Sequence, residues 1–381
     1  MIFKEHIRDR LSLGVLNLDH ILELIDEKIV LNIDRQKLEK YNNENKSSAL
    51  DLTISNIGWE VGKSFKPQLG EKVEGLMKKY AKGKLKRINQ GVVLEKGNVY
   101  LFQIEEQLDL KNEFKLYAQA SGKSSIGRLD VLTRLVIDGS PLYDEISNGY
   151  KGKMFVEIIP LSFPILIKTG NSVNQLRLFR GEPTQSKLGK YSLDEIGDGT
   201  PLILDKNGET RTCGIDKLSI DLSVIDCGGT QTCAYEAKSE DNGIEPIDLS
   251  SNSLYNPEKY WRRLPPDKGT LKMEKDHFYI LRSCERFYLL EDIAVRCIAY
   301  TENLGETRIH YAGFAHPWFS RKSKNGAPLI FEVRCHSFPI VARHKEDFAR
   351  IEFYRMAEPT KVFTPYESQE LKLSKYFDAW K

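Results

Sequence analysis

The residues best suited to chemistry form one compact run, Gly122-Lys123-Ser124-Ser125-Ile126-Gly127-Arg128-Leu129-Asp130. Two hydroxyls, a lysine and an arginine lie in a glycine-flanked turn. Hydroxyls can orient a water or an exocyclic amine, and a guanidinium can hold an anion. The run reads either as a polar surface loop or as a cradle for a polar base or phosphate. Glu157 lies in the apolar segment Met154-Phe155-Val156-Glu157-Ile158-Ile159. Its carboxylate either faces solvent or sits in a pocket, where desolvation would raise its pKa and suit it to proton transfer near neutrality. Glu332, in Leu329-Ile330-Phe331-Glu332-Val333, repeats that setting. Gln175, in the turn and strand Gly170 to Leu176, either pairs across a sheet or contacts a phosphate or base with its amide.

Two other chemistries fail on spacing. Gly122-Lys123-Ser124 has the ending of a phosphate-binding loop, but Tyr117 stands where the first glycine is required. A zinc-dependent deaminase needs His-x-Glu and Cys-x-x-Cys to activate water. Only His344 has a glutamate two residues on, and no two cysteines have the Cys-x-x-Cys spacing, Cys227 and Cys233 being too far apart, so no metal ligands are assigned. The six cysteines are dispersed, and with no secretion signal they read as reduced thiols of a cytoplasmic protein. The net charge of +2 does not suit a nucleic-acid duplex as partner. Val156 to Ile167, the most apolar stretch, contains Glu157, Pro160 and Pro164 and is no membrane span.

Around these residues the elements are mostly short. Helical periodicity covers residues 7–40, with Asp19 as a cap for Ile21, Leu22, Leu24 and Ile25. A short basic helix is expected over Gly75 to Lys86. From Leu50 onward alternating runs such as Leu50–Ile54, Val99–Phe102 and Lys115–Tyr117 predict strands. An internal repeat organises them. Val99-Tyr100-Leu101 recurs as Phe278-Tyr279-Ile280, and at the same offset Glu106 matches Glu285. Glu157 precedes Ser162-Phe163-Pro164-Ile165 by the same distance as Glu332 precedes Ser337-Phe338-Pro339-Ile340. The expected order is an N-terminal helical segment (1–44), a first β domain with the polar cradle (45–186), a linker (187–212), a second β domain (213–360) and a tail or lid (361–381).

These residues resemble a known family. Lys123 to Leu129 is similar to the Ser-Ser-x-x-Arg signature of dCTP deaminases, in the dUTPase-like superfamily. Gly149-Tyr150-Lys151-Gly152 followed by Glu157 resembles their turn and catalytic-glutamate strand. Gly170 to Leu176 resembles the superfamily's Gly-x-x-x-x-Gln-Leu motif. His310 to Phe314 and the tail from Tyr366 to Lys375 resemble the long, two-domain bacterial form. The resemblance implies a mainly β chain: two tandem dUTPase-like distorted β-barrel or jelly-roll domains after a short helical segment. It implies hydrolytic deamination of dCTP to dUTP and ammonia without zinc, in pyrimidine deoxynucleotide metabolism. Glu157 would be the general base, with Ser124 and Arg128 holding the water and the exocyclic group. Lys123, Ser125, Gln175, Tyr366, Gln369 and Lys372 would bind or close over the triphosphate, and Mg2+ would accompany its phosphates.

The second copy departs from the motif. Glu302, Asn303 and Thr307 stand where the first has Lys123, Ser124 and Arg128, and Arg350 stands where it has Gln175. Its own site is therefore expected to be degenerate. The family builds sites between domains, so the cradle faces either Glu157 of another chain or Glu332, and Glu332 is retained as a catalytic candidate. A homo-oligomer is expected, with dTTP or dUTP as further ligands. The alternatives are a diphosphatase or bifunctional enzyme of the same fold, or a nucleotide-binding protein without turnover.

Overall fold

The computed structural model describes residues 12–33, 48–189, 202–211, 215–239, 243–252, 254–298, 307–309, 313–321, 323, 325–360 and 370–380. A short strand β1 (Gly14–Val15) leads into helix α1 (Leu18–Asp26). Asn17 caps this helix: its side chain accepts the His20 N–H at 3.1 Å, and His20 Nδ1 accepts the Asn17 N–H at 3.3 Å. The cap thus lies two residues before the expected Asp19, which sits in the first turn. Leu18, Ile21 and Leu24 are buried, whereas residues 7–11 and 34–40 of the expected helical segment lie outside the described residues.

The first barrel contains β2 (Leu50–Val61), α2 (Val73–Tyr80), β3 (Val99–Asp109), β4 (Leu116–Gly122), α3 (Ser124–Gly127), β5 (Val131–Ile137), β6 (Lys151–Pro160) and β7 (Ser172–Arg180). Its strands hydrogen-bond in the order β5-β6-β3-β2-β7-β4. Helix α2 ends at Tyr80, earlier than the basic pattern suggests, because Ala81–Lys84 pairs with β2. The second barrel contains β8 (Lys217–Asp221), β9 (Phe278–Phe287), β10 (Ile293–Ile298), β11 (Ala327–Cys335) and β12 (Asp347–Arg355). Their order, β11-β9-β8-β12-β10, repeats β6-β3-β2-β7-β4.

The likeness extends to single contacts. Glu157 lies opposite Leu101, and Glu332 lies opposite Ile280, the residue that the repeat matches to Leu101. Buried Glu106 accepts the Thr53 N–H on β2 at 2.8 Å, and buried Glu285 accepts the Ser219 N–H on β8 at 2.8 Å. The stretch expected to be a linker is partly sheet. Lys187–Leu188 pairs with β12, and Ile203–Leu204 pairs with β9 and with Thr210–Arg211.

One difference between the barrels decides the site. Side chains alternate along a strand. On β11, Leu329, Phe331 and Val333 enter the second barrel's own core, so Ile330, Glu332 and Arg334 turn outward, and Ile330 packs against the first barrel's core. On β6, Met154, Val156 and Ile158 point inward, leaving Phe155 and Glu157 outside. There Phe155 is covered by Val73 and Met77 of α2, within the same barrel. Equivalent faces therefore meet different partners. The first barrel's core continues through Tyr235, Trp261, Phe278 and Ile280 into the second and into the tail at Leu371, Leu373, Tyr376 and Phe377. No described helix is long and apolar enough to cross a membrane.

Candidate active site

The polar run is a short turn anchored by apolar side chains. Ile126 and Leu129 are fully buried, which fixes α3 on the barrel and leaves Ser124 exposed at its start. Arg128 caps its end and is almost buried. Asp130 has a φ of +58°, in the left-handed region, and reverses the chain into β5. Opposite the turn stands Glu332 of the second barrel. Its Oε1 lies 3.7 Å from Arg128 Nε, and its carboxylate hydrogen-bonds Ser124. Burial pushes the Glu332 carboxyl up to about 8, with Arg128 and then Ser124 opposing and Asp130 adding to the rise. A carboxyl titrating there can take a proton from water and return it near neutral pH.

Glu157 occupies the equivalent position on β6 but does not meet this turn. Its Oε1 accepts from Arg134 Nε at 3.0 Å and Nη2 at 2.6 Å. The Arg134 guanidinium stacks 4.2 Å from the Tyr143 ring centre and reaches Ser64 Oγ at 3.2 Å. Within one chain the expected partnership of Glu157 with Ser124 and Arg128 is therefore replaced by Glu332. The physical reason is the cover over the β6 face: α2 and Arg134 occupy the side that, on the equivalent strand β11, is met by the first barrel.

The other expected binding residues gather beside the turn. Gln175 on β7 is paired across the sheet with both Asp51 and Ser121, so the three side chains share a face. Its Nε2 reaches Ser121 Oγ at 3.4 Å, Arg177 Nη1 reaches the same oxygen at 3.0 Å, and Lys123 Nζ is ion-paired with Asp51. Lys375 lies near this pair. Partial desolvation and then the Lys123 ammonium hold its ammonium below the usual lysine range, with Asp51 opposing.

The tail crosses the turn itself. Arg128 Nη1 donates to the Lys372 carbonyl at 3.3 Å, Ser374 Oγ donates to the Ser125 carbonyl at 2.5 Å, and Tyr376 hydrogen-bonds the Ser125 side chain. Lys372 thus contributes its backbone to Arg128 while its side chain stays exposed. Beyond it Phe377 packs against Tyr260 and Trp261, and Trp380 stacks on Tyr235 with Arg263 over its ring. Tyr366 and Gln369 lie outside the described residues, as do Glu302 and Asn303. Sequence reasoning missed Asp51, Asp130, Arg334 and Lys375. Asp130 closes the signature run and Arg334 follows Glu332 on the same strand face, which were the available signals.

Among the described residues one group, Asp221, Cys284 and His344, has the residue types of a metal site. Each is already engaged. Asp221 meets Arg282 Nε at 2.8 Å, the Cys284 thiol donates to the Ile220 carbonyl, and His344 Nδ1 accepts the Leu222 N–H.

Comparison with known proteins agrees with this architecture. A search of curated proteins finds no match. The solved structure of 2'-deoxycytidine 5'-triphosphate deaminase from Agrobacterium tumefaciens superposes with a TM-score of 0.80 at 26% identity, covering 92% of this chain and 100% of that one. A mutant of Bacillus subtilis oxalate decarboxylase OxdC, at 9% identity over 81% of this chain and 79% of that one, reaches only 0.10 and carries no argument. The family models for the N-terminal and C-terminal domains of 2'-deoxycytidine 5'-triphosphate deaminase match residues 12–182 and 190–377. With two such domains in tandem over nearly its whole length, the chain belongs to the dCTP deaminase family.

Proposed function

We propose that the chain hydrolyses dCTP to dUTP and ammonia, with Glu332 as general base. The observation that carries this reading is the buried Glu332 carboxyl, pushed up to about 8 and set against Ser124 and Arg128. Ionised Glu332 takes a proton from a water held by Ser124, and the resulting hydroxide attacks C4 of cytosine. The proton passes to N3. A second proton moves from the attached hydroxyl through Glu332 to the exocyclic amine, and ammonia leaves as the C4 carbonyl forms. Arg128 steadies the carboxylate while it is charged. Lys123, Gln175, Ser125 and the tail residues Lys372 and Lys375 supply the polar edge for the triphosphate, and Tyr366 and Gln369 complete its closure. Mg2+ would come with the phosphates and shield their charge.

Cradle, acid and tail come from one chain, so turnover needs no second copy even if the protein assembles as a homo-oligomer. The same reading has it acting in the cytoplasm and accepting dTTP or dUTP as further ligands. Incubation with dCTP tests the reaction: ammonia and dUTP in equal amounts without pyrophosphate support it. Pyrophosphate without ammonia would overturn it in favour of a diphosphatase. Thermal stabilisation by dCTP with no product would leave only a nucleotide-binding role.

A further inference from the structure

Two charge pairs cross the gap between the barrels in opposite senses. In one, the cation Arg128 belongs to the first barrel and the anion Glu332 to the second. In the other, the anion Asp130 belongs to the first barrel and the cation Arg334 to the second. The residues alternate: Arg128 and Asp130 end the α3 turn, while Glu332 and Arg334 share one face of β11. The second pair is the better built. Arg334 Nη2 pairs with Asp130 Oδ2, and Nε reaches Oδ1 at 3.4 Å. Ser162 Oγ donates to Asp130 Oδ2 at 2.6 Å and accepts from Arg334 Nη2 at 3.1 Å, while Arg334 Nη1 donates to the Asp276 carbonyl. Asp130 is 0% exposed, so water does not screen the pair.

Ser162 opens the first copy of the repeated tetrapeptide and is buried in this contact, whereas Ser337, its counterpart in the second copy, is exposed. The repeated motif has thus been recruited on one side only. Burying an ion pair brings little net stability, but its fixed geometry can select one register between two surfaces.

We infer that Asp130, Arg334 and Ser162 are positioning residues that set Glu332 against Ser124 and Arg128. This rests on the reading of Glu332 as the base. The groups facing Glu332 are Arg128, Ser124 and Asp130 from the turn, with Arg334 two residues along its own strand, and the Cys297 thiol on β10 lies behind it in the second barrel's core. Removing either partner of the Asp130–Arg334 pair loosens the same contact but leaves opposite charges beside Glu332.

The test is the pH profile of kcat/KM for dCTP in Asp130→Asn and Arg334→Gln, with Glu332→Gln alongside. Loss of the anion favours ionised Glu332, so the rising limb of Asp130→Asn moves down by about one unit. Loss of the cation leaves Asp130 unneutralised, so the limb of Arg334→Gln moves up by about the same amount. In both, kcat falls about ten- to a hundredfold through misplacement while KM changes little. Limbs that stay at the wild-type position, or move together, overturn the inference. If Arg334→Gln does not fold, Asp130→Asn decides alone, because loss of packing would not move a limb. Inactive Glu332→Gln with unmoved limbs overturns the positioning role but not the base. Activity retained in Glu332→Gln overturns both.

Discussion

Replacing Glu332 by glutamine should make the ligand-free protein more stable at alkaline pH than the parent. The Glu332 side chain is only 5% exposed, and burial raises its carboxyl from the ordinary 4.5 to about 8. The folded chain keeps a proton that the unfolded chain releases between these values, so wild-type stability falls as pH rises through that window. At about pH 7.5 the cost is near three units of about 1.4 kcal/mol, on the order of 4 kcal/mol. Glutamine keeps a hydrogen bond to Ser124 and, like the protonated Glu332 carboxyl below about pH 8, offers Arg128 no anion, so the two proteins should differ little at acid pH. Melting temperatures of both proteins, measured from mildly acid to mildly alkaline pH without nucleotide, should diverge by several degrees in favour of the variant. A difference that does not change with pH would show that Glu332 is not held protonated by burial, and the reasoning from its environment would fail.

Other consequences can be checked directly. Lys375→Met should raise KM for dCTP on the order of tenfold with little change in kcat, because a charge-assisted contact to phosphate is lost; an unchanged KM removes Lys375 from the binding edge. Phe377→Ala should lower stability by about 3–5 kcal/mol, read from denaturant unfolding, since its ring packs on Tyr260 and Trp261 inside the shared core. Specific activity should stay constant on dilution through any oligomer dissociation followed by light scattering. Activity lost together with the larger species would mean that a second copy completes the site.

The duplication was legible because it leaves identical residues at matched distances, and Glu106 with Glu285 shows why: each satisfies a backbone N–H of the adjacent strand. The Ser124 to Arg128 turn was legible as a polar insertion between apolar anchors. Which acid serves it was not. Glu157 and Glu332 share sequence surroundings, strand register and outward direction, and they differ only in what covers the face around them. That cover is α2 at one face and the other barrel at the second, a choice made by tertiary packing. The crossed pair of Asp130 and Arg334 was hidden for a related reason, since its partners are far apart in sequence and meet only across the interface. The N-terminal cap was misplaced because Asn17 and Asp19 are both good capping types, and the chain used the one that also bonds His20.

The central claim is that the cradle of the first barrel is served by the acid of the second. Ammonia release from dCTP by Glu332→Gln and Glu157→Gln, each confirmed folded, tests it most directly. The account predicts that Glu332→Gln loses about a hundred- to ten-thousandfold in kcat, the usual contribution of a positioned general base. Glu157→Gln should keep nearly full activity, because its amide still accepts from Arg134. Loss of activity in Glu157→Gln with retention in Glu332→Gln would contradict it.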